Sequence, residues 1–186
     1  MVDCPRMPWL SRWLLLGIVL ATPQVPEIQG LSIMATGGLV LVSFRFDGGM
    51  TVEIRERIDS GLPTSFVYEL ELMKDRKHWW DRPLKSSRVE VVAMYNAVTH
   101  EYLLNTKHDG RLIGSQTVRE VDELERAMTR FASFPAFAVE AGAEPGRYLV
   151  RARVELGLGA MLGFIPYQRD TPWRESNKIR FTPAAP

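Results

Sequence analysis

The closest match to a cofactor-binding motif in this 186-residue chain is a glycine-rich segment. Its glycines are Gly157, Gly159 and Gly163. Glycines spaced in this way form the phosphate-binding turn of a dinucleotide site only when a helix begins at the turn and about 30 residues of βαβ structure surround it. Pro166 follows three residues after Gly163 and leaves no room for that helix. The sequence therefore predicts no nucleotide site and no other bound cofactor.

The chain has three histidines, His78, His100 and His108. None of them belongs to an H-E-x-x-H pair or to another spacing typical of metal ligands. We interpret them as surface or turn residues, and a metal site that combines them with nearby aspartates stays an alternative. No metal is expected.

Serine, cysteine and carboxylate side chains also lack a catalytic pattern. The serines form neither a G-x-S-x-G elbow nor an S-x-x-K motif. The single cysteine, Cys4, lies in a segment that we expect to be removed. Glu69 and Glu71 have the chemistry of an acid–base pair, but their alternation with apolar residues favours a solvated strand face. An enzyme of unrecognised type is therefore the minority hypothesis.

Two segments could instead bind a partner. Trp79 and Trp80 are adjacent in the sequence. Tandem tryptophans either anchor a partner interface or pack into the core of their own domain. We favour core packing, because each tryptophan ring buries a large surface. Residues 156–167, the apolar loop, are glycine-rich and nearly all apolar, so they either pack against their own domain or contact a partner or a membrane surface. The predicted binding surface comprises Trp79, Trp80, Asp81, Leu162, Phe164, Tyr167 and Trp173.

Composition limits the class of protein. The formal net charge is +1, 46% of the residues are hydrophobic and 24% are charged, which fits a single globular domain. A dedicated nucleic-acid binder would carry a basic excess, so nucleic acid is not expected as a partner. Arginine outnumbers lysine 18 to 5, and the arginines are scattered along the sequence.

Residues 1–21 have the features of a secretory signal peptide. Arg6 and Arg12 precede a nine-residue uncharged run, residues 13–21, which is too short to span a membrane core that needs roughly 20 residues. Val19 and Ala21 supply small residues before the expected cleavage site after Ala21. We expect a periplasmic or secreted protein that does not span a membrane after cleavage, with a buried N-terminal helix as the alternative.

The rest of the chain alternates strands with two short helices. Residues 22–38 are predicted as a linker with a weak first strand at Gln29–Met34, and residues 39–186 as one domain. Because strands follow one another directly, a doubly wound parallel sheet fits poorly. We expect an α+β fold, mostly antiparallel, built as a sandwich or partly closed barrel. Periodicity predicts its further strands at Leu39–Phe46, Thr64–Met73, Arg88–Asn96, Glu101–Thr106, Arg111–Ser115, Tyr148–Leu156 and Asn177–Phe181.

Capping signals predict where the two helices begin and end. An apolar residue at every fourth position of residues 50–62 predicts the first helix, which should end at Gly61. Thr117 and Glu120 have the spacing of a capping box and predict the start of the second helix. Its apolar stripe should extend to Phe131.

Several short motifs together resemble one protein family. They are Ser60-Gly-Leu-Pro-Thr-Ser-Phe66, Trp79-Trp80-Asp81, Tyr95-Asn96 followed by Tyr102, Phe164-Ile-Pro-Tyr167, Thr171-Pro-Trp173 and Ser176. In this order they resemble domain of unknown function 4390, a family of uncharacterised secreted bacterial proteins, from about Leu39 to Phe181. The resemblance implies an envelope protein of a Gram-negative-type bacterium. It supplies no activity, cofactor or catalytic residue.

Three hypotheses for the function follow. The leading one is a non-enzymatic periplasmic domain that binds a partner envelope protein through the tandem tryptophans or the apolar loop. The second is a carrier of a small apolar ligand or lipid, held in a pocket lined by residues such as Phe66, Tyr68 and Met128. The third is an enzyme of unrecognised type, which would need a cleft where histidines and aspartates converge.

Overall fold

The computed structural model describes residues 25–75, 83–139, 144–157 and 169–181. The predicted signal peptide and most of the apolar loop lie outside these residues. The elements in chain order are β1 (Glu27–Thr36), β2 (Leu39–Asp47), α1 (Val52–Asp59), β3 (Thr64–Lys74), β4 (Lys85–Asn96), β5 (Glu101–His108), β6 (Arg111–Val118), α2 (Val121–Thr129), β7 (Arg130–Ala138), β8 (Gly146–Gly157), β9 (Arg169–Asp170), β10 (Arg174–Glu175) and β11 (Ile179–Phe181).

The strands form two antiparallel sheets that share one hydrophobic core. The large sheet has the order β10-β8-β3-β4-β5-β6, and β9 and β11 also pair with β8. The small sheet has the order β1-β2-β7. The large sheet curves into a half-barrel beside the small one. The expected mostly antiparallel α+β fold is confirmed.

Alternating residues of β3 define the centre of the core, as their period of two predicts. Phe66, Tyr68 and Leu70 are at most 1% exposed, while Glu69 between them points to the outer face. The Tyr68 hydroxyl donates a hydrogen bond to the Met128 carbonyl oxygen at 2.6 Å. Complete burial raises the pKa of Tyr68 well above its ordinary value. The hydroxyl therefore stays protonated and joins β3 to the end of α2.

Helix α1 begins at a threonine cap, which the sequence analysis did not identify, and ends at the predicted glycine. The Thr51 hydroxyl accepts a hydrogen bond from the Ile54 N–H at 3.3 Å. Gly61 has a φ of +78°, and its N–H donates to the Ile58 carbonyl oxygen at 2.9 Å, which confirms the predicted glycine end. Among the described residues, no helix is both long and apolar enough to cross a membrane.

The predicted start of the second helix is wrong. Thr117 lies in β6 and pairs with β5, so its hydroxyl is not at a helix terminus. The residue before α2 is Glu120, and its side chain forms no capping hydrogen bond. The capping-box spacing misleads here because strand pairing continues past Thr117 and delays the helix until Val121.

Strand β7 is not indicated by the sequence pattern. Phe131, expected at the end of a helical stripe, lies in this strand instead. Pro135 lacks an N–H, Ser133 has a φ of +52°, and the register against β2 shifts twice. These irregularities hide the period of two. They are tolerated because β7 is an edge strand of the small sheet.

The two weakest strand predictions are confirmed as strands with different bounds. Strand β1 is longer than the predicted Gln29–Met34, and it buries Ile28 and Ile33 in the shared core. The predicted last strand corresponds to β11, which pairs with β8. Residues 169–181 therefore lie along the edge of β8 and include three short strands.

Candidate functional site

Trp173 is the one member of the predicted binding surface that the structure describes. The other six members, Trp79, Trp80, Asp81, Leu162, Phe164 and Tyr167, lie outside the described residues, as does His78. Leu156, at the start of the apolar loop, belongs to β8 and is only 9% exposed. The loop therefore begins with a core residue.

The two other segments of the predicted surface leave the sheet at opposite ends of β3. Ser65 pairs with Gly157, which belongs to the apolar loop, whereas Leu72 pairs with Lys85, which follows Trp80 by five residues in the sequence. Ser65 and Leu72 are seven residues apart, which corresponds to about 24 Å along a strand. Trp173 lies between these ends, beside the middle of β8.

The Trp173 indole packs against two arginines of β8. The guanidinium carbons of Arg151 and Arg153 lie 4.7 and 4.8 Å from the ring centroid. Cation–π contacts at exposed sites each stabilise by about 0.5–1 kcal/mol. Trp173 is half-buried in this position. Its contacts therefore fix the segment between β9 and β10 to the outer face of β8.

Two hydroxyl side chains form hydrogen bonds to the backbone of β8 where the short C-terminal strands are interrupted. The Thr171 hydroxyl accepts from the Val154 N–H, and the Ser176 hydroxyl accepts from the Val150 N–H, both at 2.9 Å. In return, the Thr171 and Ser176 N–H groups donate to the carbonyl oxygens of the same two valines. The edge of β8 is thus covered by this chain's own C-terminal segment.

Asn177 joins that segment to the small sheet. Its side-chain oxygen accepts from the Ile33 N–H at 2.8 Å, and its side-chain nitrogen donates to the Ile33 carbonyl oxygen at 3.3 Å. Arg174 also pairs with Glu27 of β1. The pKa of Glu27 is lowered by hydrogen bonds from Gln29 and from Arg174. The C-terminal segment therefore links both sheets on this side of the domain.

The outer face of the large sheet carries a lattice of arginine–carboxylate pairs. Glu69 accepts from Arg153 at 2.6 Å and from Arg88 at 3.1 Å, and Arg88 also pairs with Glu155 at 2.8 Å. The hydrogen bond that Arg153 donates to Glu69 is the largest factor that raises the pKa of Arg153. Burial by itself would raise the pKa of Glu155. Hydrogen bonds, including the one that Arg88 donates, outweigh burial and lower the pKa of Glu155.

This lattice changes two readings of the sequence. Arginines that are scattered along the chain lie side by side, because β8 and β4 flank β3 in register. Glu69 and Glu71, expected as a solvated strand face, are each paired with an arginine. They therefore act as ion-pair partners on a half-buried face.

The described histidines bond to neighbouring side chains. His108 Nε2 lies 2.7 Å from the Ser87 hydroxyl oxygen, and His100 Nδ1 lies 3.0 Å from the Tyr95 hydroxyl oxygen. His100 lies in the turn before β5, as expected. No group of three or more potential metal ligands was found within the described ranges. The enzyme hypothesis stays a prediction.

The residues predicted to line a ligand pocket are core residues. Phe66, Tyr68 and Met128 are each at most 1% exposed and belong to one packed cluster. A ligand that contacted all three would have to separate β3 from α2, which the hydrogen bond between Tyr68 and Met128 holds together. The carrier hypothesis stays a prediction that requires this core to open.

An apolar patch lies on the outer face of the small sheet, and the sequence interpretation missed it. Met34 pairs with Leu41, which pairs with Pro135, and Leu39 pairs with Ala138 in the adjacent row. We call these five residues the small-sheet patch. Met34 is 54% exposed and Leu39 is 39% exposed. The continuous apolar run in β2 favours a well-buried strand, but its buried residues are the inward-pointing Val40, Val42, Phe44 and Phe46, while Leu39 is exposed.

Comparison with known proteins identifies one family. The model of the family described as "Domain of unknown function (DUF4390)" matches residues 24–161, more than half of the chain. The match begins before the expected start at Leu39, and it ends before Phe164 and the later motifs of the resemblance. No curated protein and no solved structure matches significantly.

Proposed function

This chain belongs to the DUF4390 family, and we propose that it is a non-enzymatic domain of the bacterial envelope that binds a partner protein. The signal-peptide pattern of residues 1–21 supports export. The small-sheet patch supports protein binding and is the observation on which this proposal rests.

The small-sheet patch has the composition of the centre of a protein interface. Met34, Leu41 and Pro135 form one uncharged row across all three strands of the small sheet. Leu39 and Ala138 form a shorter row beside it, which ends at the exposed Thr36 of β1. Monomeric proteins rarely expose contiguous apolar patches larger than a few hundred Å², and burial of apolar surface against a partner contributes about 25 cal/mol per Å². Methionine, leucine and proline side chains can pack against an apolar surface of a partner. The patch therefore supports an interaction that buries it.

The test places a photo-cross-linking amino acid at Leu39 of the full chain in its native bacterial envelope. Val98 is the matched control, since it is an aliphatic residue in the turn between β4 and β5 and is 89% exposed. We expect a specific protein adduct at position 39 and none at position 98. The purified partner should then bind the wild-type chain and the Val98→Lys variant but not the Leu39→Lys variant.

Two results would contradict the proposal. Equal adducts at positions 39 and 98 would show that the patch has no specific partner. If Leu39→Lys abolished liposome flotation while no protein adduct formed, the patch would contact lipid instead. Circular dichroism of each variant must show the wild-type fold before either result is interpreted.

A further inference from the structure

The two edges of the large sheet differ in how they are protected. At one edge, β8 is covered by β9, β10 and β11 and by the hydroxyls of Thr171 and Ser176. At the other edge, β6 pairs only with β5 among the described residues. Because N–H and C=O groups alternate between the two sides of a strand, about half of those in β6 point away from β5.

Strand β6 has little of the usual protection of an edge strand. Residues 111–117 are all exposed, and Leu112 and Ile113 expose 61% and 53% of their surface. The strand contains no proline and one charged residue, Arg111. Edge strands normally carry lysines, prolines or inward-pointing charges that prevent pairing with another chain. β6 has none of these three, but its register against β5 shifts at Ile113, so a β-bulge is the one protective feature of this edge.

Charges at the two ends of β6 have opposite sign. Arg111, at the start of the strand, forms no ion pair with any described residue, and the nearby Asp109 accepts from the Arg88 N–H. Just after the strand come the exposed carboxylates of Glu120, Asp122 and Glu123, which likewise have no ion-pair partner within the described ranges. Arg119 does not neutralise them, because it pairs with Glu101 at 2.7 Å.

A strand that is positive at its start and negative after its end is complementary to a second copy of itself in antiparallel orientation. If the twofold axis passes between Gly114 and Ser115, Arg111 of one copy lies opposite Val118 of the other and next to the carboxylates that follow it. Leu112 then lies opposite Thr117. The two charge contacts are equivalent by symmetry, so each complementary pair occurs twice.

We propose that β6 pairs with β6 of a second copy and joins the two large sheets into one continuous antiparallel sheet. The assembly closes as a dimer because the other edge of each large sheet is already covered. This interface lies apart from the small-sheet patch, so it does not depend on the proposed function.

Sedimentation of the full chain over a range of concentrations tests the pairing. We expect a species of twice the 21.1-kDa chain mass at concentrations up to about 100 μM. Ile113→Lys places a charge on the strand and should raise the dimer Kd at least about tenfold. Val98→Lys adds the same charge in the exposed β4–β5 turn and should leave the Kd unchanged.

Charge reversal tests the orientation. Arg111→Glu should weaken the dimer about tenfold or more, because it sets a carboxylate against the acidic end of the second copy in both symmetric contacts. Adding Glu120→Arg to that variant should restore most of the affinity. A wild-type monomer at every concentration, a dimer that tolerates Ile113→Lys, or no rescue by Glu120→Arg would each overturn the proposal.

Discussion

Replacing Trp173 by alanine tests whether this residue serves the fold or a partner. The ring contacts Arg151 and Arg153 at 4.7 and 4.8 Å, and each contact should contribute about 0.5–1 kcal/mol. We therefore expect Trp173→Ala to lower the free energy of unfolding by about 1–2 kcal/mol. Trp173→Phe keeps a smaller aromatic face and should lose about half as much.

Equilibrium urea unfolding followed by far-UV circular dichroism measures this loss, because the signal does not depend on the tryptophan that is removed. Val98→Ala is the control, since Val98 is an apolar side chain outside a strand that is 89% exposed and so has little packing to lose. Arg153→Met, alone and combined with Trp173→Ala, gives the coupling energy, which we expect to be about 0.5–1 kcal/mol. If Trp173→Ala changes stability no more than the control and yet weakens partner binding, the structural role is refuted and Trp173 belongs to the binding surface.

Three further substitutions probe contacts that hold the domain together. Tyr68→Phe leaves the Met128 carbonyl oxygen buried without its donor and should cost about 1–3 kcal/mol in urea unfolding; a loss near zero would contradict the contact. Burial, followed by the hydrogen bond to Asp59, raises the pKa of Tyr102 to about 12 from its ordinary 10.0. This phenol thus stabilises the fold below about pH 10 and loses that contribution as the pH rises towards 12. Tyr102→Phe should therefore flatten the decline of the urea midpoint over this range, and an unchanged slope would exclude Tyr102 as its source. Gly61→Ala places a side chain at a φ of +78° and should lower stability by about 1–2 kcal/mol, measured as a lower urea midpoint.

Strands in which apolar and polar residues alternate regularly could be predicted from the sequence. Burial of one strand face produces this alternation within a few residues, so it can be recognised without knowledge of the neighbouring strands. The strands around Tyr68, Val91 and Val154 are of this kind, and each buries the predicted face. Strand β7 could not be predicted in this way. Pro135 and Ser133 break its period, and only the neighbouring β2 makes it a strand.

The site features depend on strand order, which the sequence pattern does not encode. Glu69 and Arg153 are 84 residues apart, and their contact exists because β3 and β8 are neighbours in register. The small-sheet patch likewise needs β1, β2 and β7 side by side. A local signal for it was present, since Leu39 and Leu41 alternate with the inward-pointing Val40 and Val42, but the pattern alone does not say that the outer face stays uncovered.

The two edges of the large sheet differ in their protection, and this difference determines how copies of the domain can associate. Covering β8 requires specific chemistry, with Thr171, Ser176 and Asn177 supplying side-chain groups where backbone pairing is interrupted. With β8 covered, and with β6 carrying one charge and two exposed aliphatic side chains, the large sheet has one open edge among the described residues. One open edge limits strand pairing to two copies, whereas two open edges would permit fibres. The C-terminal segment therefore determines that association through β6 ends at a dimer, and removing residues 169–181 should convert that dimer into larger assemblies detectable by light scattering.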